Sequence, residues 1–178
     1  FGPAIITPNH TSWFDVFLMF AYSPVPPATF AAEYWGRIPV VNVVFQHFGQ
    51  AIFVDRGKPD RSALRAALEV LKEDGILGLA PEGTRSHDGV LQKGHDGAAW
   101  LAGRTDAEIT PVAMWGHEAM TKSWMRLKRP LVHLHVGESF KLPPEARKAR
   151  SRELPKYTEL IMREIAALLP AEQRGRYA

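Results

Sequence analysis

Short apolar segments alternate with longer segments of helical periodicity along this chain. The apolar segments have the length of strands and occupy residues 3–8, 28–34, 50–55, 76–80, 109–115 and 131–136. In residues 61–74, by contrast, Leu64, Leu68 and Leu71 recur at the spacing of one helix face. Strands that alternate with helices predict an α/β fold, with a mixed and mostly parallel sheet flanked by helices.

Two predicted helices in the first third of the chain are apolar on nearly all sides. Residues 13–22 follow Thr11 and Ser12, either of which can cap the helix, and end at a proline-rich segment. A second apolar helix is predicted over residues 40–48, between a proline and a glycine. A helix of this kind is either buried or faces lipid. Two further helices are predicted at residues 96–103 and 155–169.

The composition describes one globular domain. The chain has 178 residues, of which 46% are hydrophobic and 23% charged, enough to build a real core. Cysteine is absent, which excludes a disulfide framework, a cysteine metal site and a cysteine nucleophile. The net charge of +3 mildly favours anionic partners such as phosphate esters or acidic lipid surfaces. No basic-aromatic motif indicates a nucleic-acid module, so no nucleic-acid partner is expected.

We expect residues 1–178 to form a single domain, in which the polar residues 141–153 are a surface connector. No apolar run approaches the roughly 18–20 residues of a membrane-spanning helix. The chain begins at Phe1, without a methionine or a charged leader. This start leaves open an N-terminal part upstream, either a signal or a membrane anchor.

The clearest chemistry lies in residues 9–15, N-H-T-S-W-F-D, where His10 precedes Asp15 by five positions. If a helix starts here, the two side chains can converge at its N-terminal end. The carboxylate would hold one ring nitrogen as a donor and leave the other to take a proton. Such a pair activates a hydroxyl or a water. An alternative, less simple than direct attack by the activated hydroxyl or water, is that Ser12 is the nucleophile.

Two arginines directly follow predicted strands. Arg56 ends the segment I-F-V-D-R at residues 52–56, and Arg85 lies within P-E-G-T-R-S at residues 81–86. Guanidinium groups bind phosphate bidentately, and ligands collect beyond the carboxyl ends of parallel strands. The alternative is that each arginine forms a surface ion pair with a neighbouring acid. Gly83 permits a tight turn in the second segment.

Together with T-P-V-A at residues 110–113, these motifs resemble those of the glycerophosphate-type acyltransferases. This family includes 1-acylglycerol-3-phosphate and glycerol-3-phosphate acyltransferases. Its motifs N-H-x-S-x-x-D, a strand ending in Arg, F-P-E-G-T-R-S and V-P-V-A occur here in the same order. Ala80 replaces the phenylalanine of the third motif. The resemblance implies a glycerol-3-phosphate acyltransferase-like fold over the whole chain.

The resemblance also implies a reaction: transfer of a fatty acyl group from acyl-CoA or acyl carrier protein to the hydroxyl of lysophosphatidic acid. His10 and Asp15 are the expected catalytic residues. The residues expected to bind substrate are Ser12, Arg56, Glu82, Gly83, Thr84, Arg85, Lys93 and Pro111. Beyond the acyl donor, no cofactor is implied. No metal is expected either, because His133 and His135 share a strand face without a further ligand at telling spacing.

Three alternatives remain open from the sequence. The acceptor can be glycerol 3-phosphate or another lysophospholipid; the protein can be a thioesterase; or it can be a lipid- or membrane-binding module without turnover. The expected location is the cytoplasmic face of a membrane, with an anionic membrane surface as partner. Trp13, Phe14, Phe17 and Phe20, together with residues 40–48, form either an interfacial face or part of the core.

Overall fold

The strands form one sheet in a computed structural model that describes residues 2–23, 25–32, 51–54, 61–117, 120, 125, 127 and 129–178. The six strands in these ranges are β1 (Ala4–Pro8), β2 (Ala28–Ala32), β3 (Ala51–Val54), β4 (Ile76–Gly78), β5 (Glu108–Trp115) and β6 (His133–Val136). Their order in the sheet is β3-β2-β4-β1-β5-β6. All neighbours are parallel except β6, which is antiparallel to β5. The predicted α/β class with a mixed, mostly parallel sheet is confirmed.

The helices in the described ranges are α1 (Asp15–Tyr22), α2 (Arg61–Lys72), α3 (Gly97–Thr105) and α4 (Leu154–Leu168). The predicted polar connector at residues 141–153 contains two short 3-10 helices, Pro144–Lys148 and Ser151–Glu153. In the part of the chain that the structure describes, no helix is long and apolar enough to cross a membrane.

The two faces of the sheet are covered differently. Ile5, Leu77 and Ile109 are fully buried on the face that α2, α3 and α4 cover. Their neighbours in the strands point to the other face, because side chains alternate along a strand. On that face Met19 of α1 lies against Gly78, where a Cβ atom would come within 2.6 Å of the Met19 methyl carbon. The helical layer therefore holds the core, and α1 shelters part of the opposite face.

The predicted strands and helices that fall within the described residues are confirmed, with shifts at some ends. The predicted strand at 76–80 ends at Gly78, because residues 80–83 form a tight turn closed by the Gly83 N–H and the Ala80 carbonyl at 3.1 Å. The predicted helix at 13–22 begins at Asp15 and has Phe14 as its N-cap residue, so neither Thr11 nor Ser12 occupies the cap position as predicted. The predicted helix at 40–48 lies outside the described residues.

Candidate active site

The candidate site lies where three neighbouring parallel strands end. His10 follows β1, Glu82 follows β4, and His117 follows β5. Because β1 lies between β4 and β5, the carboxyl ends of these strands meet at one edge of the sheet. Ligand sites of open α/β sheets occupy this edge.

His10 and Asp15 are in contact. Nδ1 of His10 lies 2.6 Å from Oδ2 of Asp15, and the His10 side chain is 18% exposed. Oδ2 also accepts the backbone N–H groups of Thr11 at 3.0 Å and Ser12 at 3.2 Å. These bonds hold the segment that precedes α1 against the first residue of the helix. With Nδ1 held by the carboxylate, Nε2 is the nitrogen of His10 that can accept a proton.

The second oxygen of Asp15 contacts another histidine. Nε2 of His117 is hydrogen bonded to Oδ1 of Asp15, and both side chains are buried. Burial acts to raise the pKa of the Asp15 carboxyl, but hydrogen bonds from His10 and His117 outweigh it and hold the pKa below its ordinary value. Asp15 is therefore a buried carboxylate that remains ionised, which suits a group that orients an imidazole.

The side chain of Glu82 holds the backbone of His10 in place by a hydrogen bond. Its Oε1 accepts the His10 backbone N–H at 2.6 Å, and its Oε2 accepts the Gln92 N–H at 2.7 Å. The His10 carbonyl in turn accepts the Ser86 N–H at 2.7 Å, so residues 82–86 hold the His10 peptide on both sides. Burial raises the pKa of Glu82 above its ordinary value. Glu82 is buried, at 2% exposure, and lines the polar cavity described below, so substrate binding by Glu82 stays a prediction.

An apolar space opens next to His10. One cavity of about 140 Å³ is lined by His10, Asp15 and Gly83 and by apolar residues of α1, β1 and β4. A second cavity of about 200 Å³ lies on the same face of the sheet and is lined mainly by apolar side chains. Pro8 and Met19 line both cavities. The two cavities are therefore neighbours on the face of the sheet that α1 shelters, and the smaller one contains His10 in its wall.

A polar cavity of about 520 Å³ lies on the other side of the turn at Gly83. Thr84, Arg85 and Lys93 are exposed along its wall, together with His87 and His95. The backbone of Gly83 has a φ of +67°, which confirms the predicted tight turn and explains the glycine. Arg56, the other expected phosphate ligand, lies outside the described residues.

Two expected substrate residues lie away from these cavities. Pro111 is buried, and its side chain faces Gly137 and Leu168 of α4. Its neighbours Thr110 and Val112 line the apolar cavity instead. Side chains alternate along β5, so Pro111 points away from the apolar cavities, and substrate binding by Pro111 stays a prediction.

Ser12 is also buried, and its hydroxyl accepts the Phe14 N–H at 3.3 Å. This contact belongs to the turn before α1, so substrate binding by Ser12 stays a prediction.

His117 has no role in the sequence-based site, although the structure brings it to Asp15. In the sequence, only its position two residues after the predicted strand at 109–115, which carries the T-P-V-A motif, could have pointed to His117. Using that signal requires knowing that β5 lies beside β1. Gly116 provides the turn: its φ is +86°, and a Cβ atom there would collide with the Leu131 carbonyl oxygen.

The outer surface of the site is aromatic. Trp13 and Phe17 are 47% and 48% exposed, and their rings make an edge-to-face contact with centroids 5.8 Å apart. Both follow His10 closely in the chain. The predicted interfacial face thus has two of its members at the surface, whereas residues 40–48 lie outside the described part.

A base beside an apolar cavity, with a polar cavity that contains Arg85 and Lys93 nearby, suits an enzyme that joins an apolar chain to a polar molecule. Comparison with known protein families agrees with this class. The profile of the Acyltransferase family matches residues 1–115, and the chain belongs to this family.

Several named proteins are similar to this chain. It is 36% identical over 115 residues to a 1-acyl-sn-glycerol-3-phosphate acyltransferase of Borreliella burgdorferi, covering 62% of this chain and 45% of that protein. It is 31% identical over 103 residues to the Bacillus subtilis protein of the same name, covering 56% and 51%. The chain thus spans about half the length of these curated relatives.

A solved structure matches over nearly the whole chain. The crystal structure of the 1-acyl-sn-glycerophosphate (LPA) acyltransferase PlsC from Thermotoga maritima superposes with a TM-score of 0.70 and 26% identity. The match covers 99% of this chain and 68% of that one. The expected acyltransferase fold is therefore confirmed.

Proposed function

We propose that this protein transfers a fatty acyl group from acyl-CoA or acyl carrier protein to the hydroxyl of lysophosphatidic acid. The observation that carries the proposal is the 2.6 Å contact between His10 Nδ1 and Asp15 Oδ2, at the wall of an apolar cavity. The names of the curated relatives support the choice of acceptor.

In the proposed reaction Nε2 of His10 takes the proton of the acceptor hydroxyl. The hydroxyl oxygen forms a bond to the thioester carbonyl carbon, and the carbon–sulfur bond then breaks. The departing thiolate takes the proton back from the imidazolium, so His10 returns to its starting state. Asp15 stabilises the imidazolium in between. A positioned base of this kind contributes about 10²–10⁴-fold to the rate.

The two apolar cavities would hold the acyl chain. One has His10 in its wall, both have Pro8 and Met19 in their walls, and the lining of both is mainly apolar. Apolar groups gain about 0.8 kcal/mol for each methylene removed from water, so two neighbouring apolar cavities favour a long chain. The cavity beside His10 would bring the thioester carbonyl to the base.

The polar cavity would bind the phosphate of the acceptor. Arg85 and Lys93 supply positive charge, and Thr84 supplies a hydroxyl donor at the same wall, which also carries the acids Glu82 and Asp88. Charge-assisted hydrogen bonds to phosphate are stronger than neutral ones. Arg56 remains a predicted further ligand. Because the turn at Gly83 separates this cavity from the apolar one, the acceptor hydroxyl and the thioester would meet near His10.

The same proposal includes the cytoplasmic face of a membrane, with anionic lipid as the partner surface. Exposed Trp13 and Phe17 form an aromatic edge near His10, and the chain carries a net charge of +3. Aromatic side chains with a basic balance favour the interface of a bilayer. Docking there would bring the lipid substrate to the site without passage through water.

The first test is an assay of purified protein with labelled acyl-CoA or acyl carrier protein. The acceptors are lysophosphatidic acid, glycerol 3-phosphate, other lysophospholipids and no acceptor. We expect labelled phosphatidic acid, and at least a 10²-fold lower rate in His10→Ala with an unchanged melting temperature. Loss of thioester without an acylated product would identify a thioesterase. Liposome binding without thioester consumption would identify a binding module.

The second test concerns phosphate recognition. Arg85→Ala should lower kcat/KM for lysophosphatidic acid by roughly 10- to 100-fold, the equivalent of one charged hydrogen bond. The rate with monoacylglycerol, which lacks phosphate, should not change. Lys72→Ala, on the exposed face of α2, is the matched control for loss of positive charge. An equal effect of Arg85→Ala on both acceptors would contradict phosphate binding by this residue.

A further inference from the structure

His117 shares Asp15 with His10 but cannot reach a substrate itself. Its side chain is fully buried, whereas that of His10 is 18% exposed. Nε2 of His117 contacts Oδ1 of Asp15 and also lies 3.1 Å from Oγ1 of Thr11. A second imidazole on the same carboxylate therefore lies on the side away from solvent.

The two oxygens of Asp15 are held by different parts of the fold. Oδ2 contacts Nδ1 of His10 and accepts the backbone N–H groups of Thr11 and Ser12, all from the segment that follows β1. Oδ1 contacts His117, which follows β5. The donors on Oδ2 hold the carboxylate from the side of β1, and the donor on Oδ1 holds it from the side of β5. Rotation about the bond to Cβ would break the contacts to both oxygens.

The charge of Asp15 determines which way this hydrogen bond runs. A carboxylate that is ionised offers only acceptors, so Nε2 of His117 must carry the proton and donate it. A buried carboxylate that loses a donor keeps the cost of its burial without the compensating bond. It then either reorients toward water or takes up a proton, and both changes remove the partner of His10.

We propose that His117 is a positioning residue whose Nε2–H group holds Asp15 in the orientation that aims His10 at the acceptor hydroxyl. This inference rests on the proposed role of His10 as the base. Gly116 enables it, because only a residue with a positive φ turns the chain from the end of β5 toward Asp15. His117 acts through Asp15 and touches no reacting atom.

Three substitutions test the proposal in the full chain, with the acyl donor and acceptor that the wild type uses fastest. His117→Leu fills the space without a donor, and His117→Gln carries an amide that can replace the Nε2–H group. His135→Leu, an exposed histidine on β6, is the control. We expect His117→Leu to lower kcat by roughly 10- to 100-fold, a part of what a positioned base contributes. KM should stay within about twofold, because the substrates do not touch His117.

His117→Gln should recover most of the lost kcat, and His135→Leu should retain the wild-type value. A wild-type kcat in His117→Leu would overturn the proposal. So would a loss in His117→Gln as large as in His117→Leu, when both proteins melt cooperatively. A merely structural role would change the melting temperature of His117→Leu but would leave the kcat of its folded fraction unchanged.

An NMR measurement decides the matter if the His117 variants do not fold. In wild-type protein labelled with ¹⁵N-histidine, we expect a proton on Nε2 of His117 whose resonance shifts when Asp15 is changed to Asn. An Nε2 without a proton would overturn the proposal. This measurement also separates the two hypotheses. A wild type that acylates no acceptor defeats the proposed function, and the spectrum still shows whether His117 holds Asp15.

Discussion

The side chain of Asn9 pairs with the backbone of Met114. Its amide nitrogen donates to the Met114 carbonyl at 2.8 Å, and its amide oxygen accepts the Met114 N–H at 2.7 Å. Asn9 thereby continues the pairing of β1 with β5 through its side chain, immediately before His10. This pair of bonds ties the end of β1 to the end of β5, which leads through Gly116 to His117.

We expect Asn9→Leu to lower the free energy of unfolding by about 1–3 kcal/mol for each Met114 group that it leaves buried without a partner. Activity should fall as well, because the segment carrying His10 loses its attachment to β5. Urea unfolding and initial rates measure both effects. Ser139→Ala removes only an exposed hydrogen bond to Thr110 and serves as the control. Equal stability of the two variants would show that the Asn9 bonds contribute nothing.

Glu82→Gln tests the support beneath His10. The glutamine amide has only one acceptor oxygen, so it can accept from His10 or from Gln92 but not from both. We expect a loss of about 1–3 kcal/mol in stability and a fall in kcat, since the His10 peptide loses its position. Denaturant unfolding and steady-state kinetics at neutral pH measure these changes. Glu138→Gln, at an exposed position after β6, should be neutral in both measurements.

Asp15 makes stability depend on acid pH. Its folded pKa lies below the ordinary 3.8, because the bonds from His10 and His117 outweigh its burial. A lowered pKa contributes stability that is present above pH 3.8 and lost as the pH falls through the lower folded value. The difference in unfolding free energy between wild type and Asp15→Asn should therefore shrink below about pH 4. If the difference in unfolding free energy grew on acidification, the folded pKa of Asp15 would be raised and not lowered.

Met19 separates the two apolar cavities and should limit the acyl chain. Met19→Trp narrows the passage between them, so the longest chains lose contact. Two methylenes at about 0.8 kcal/mol each correspond to roughly a tenfold loss in kcat/KM, with short chains unaffected. A series of acyl-CoA chain lengths measures this shift. Phe17→Trp changes an exposed position of the same helix and should leave the chain-length profile unchanged.

Gly116→Ala should disrupt the turn that carries His117. A positive φ costs a side chain about 1–2 kcal/mol, and here the added Cβ also collides with the Leu131 carbonyl. Gly89→Ala is the matched control, because Gly89 has a φ of +75° but no atom within 4 Å of the added Cβ. We expect Gly116→Ala to lose more stability than Gly89→Ala and to lose activity as well. Equal losses in urea unfolding would mean that the collision is relieved without cost.

The local pattern of apolar, polar and turn residues was sufficient to predict the strands and helices and the chemical character of the site. The strand at residues 109–115 and the helix at 155–169 were predicted to within one residue at each end, because apolar spacing and flanking turn residues mark them. The contact between His10 and Asp15 was also predictable, since both residues lie in one turn of the chain. The start of α1 was not, because Trp13 and Phe14 form a turn before the helix and Asp15 is its first residue.

Local sequence predicts an α/β chain with a histidine and an aspartate close together and a P-E-G-T-R-S segment that contains an arginine. The residues around the histidine and the aspartate come from distant parts of the chain. Glu82 reaches His10 across 72 residues, and His117 reaches Asp15 across 102. Both contacts exist because β4 and β5 lie on either side of β1. Strand order depends on how the whole sheet packs against its helices, and no local spacing of apolar residues encodes it.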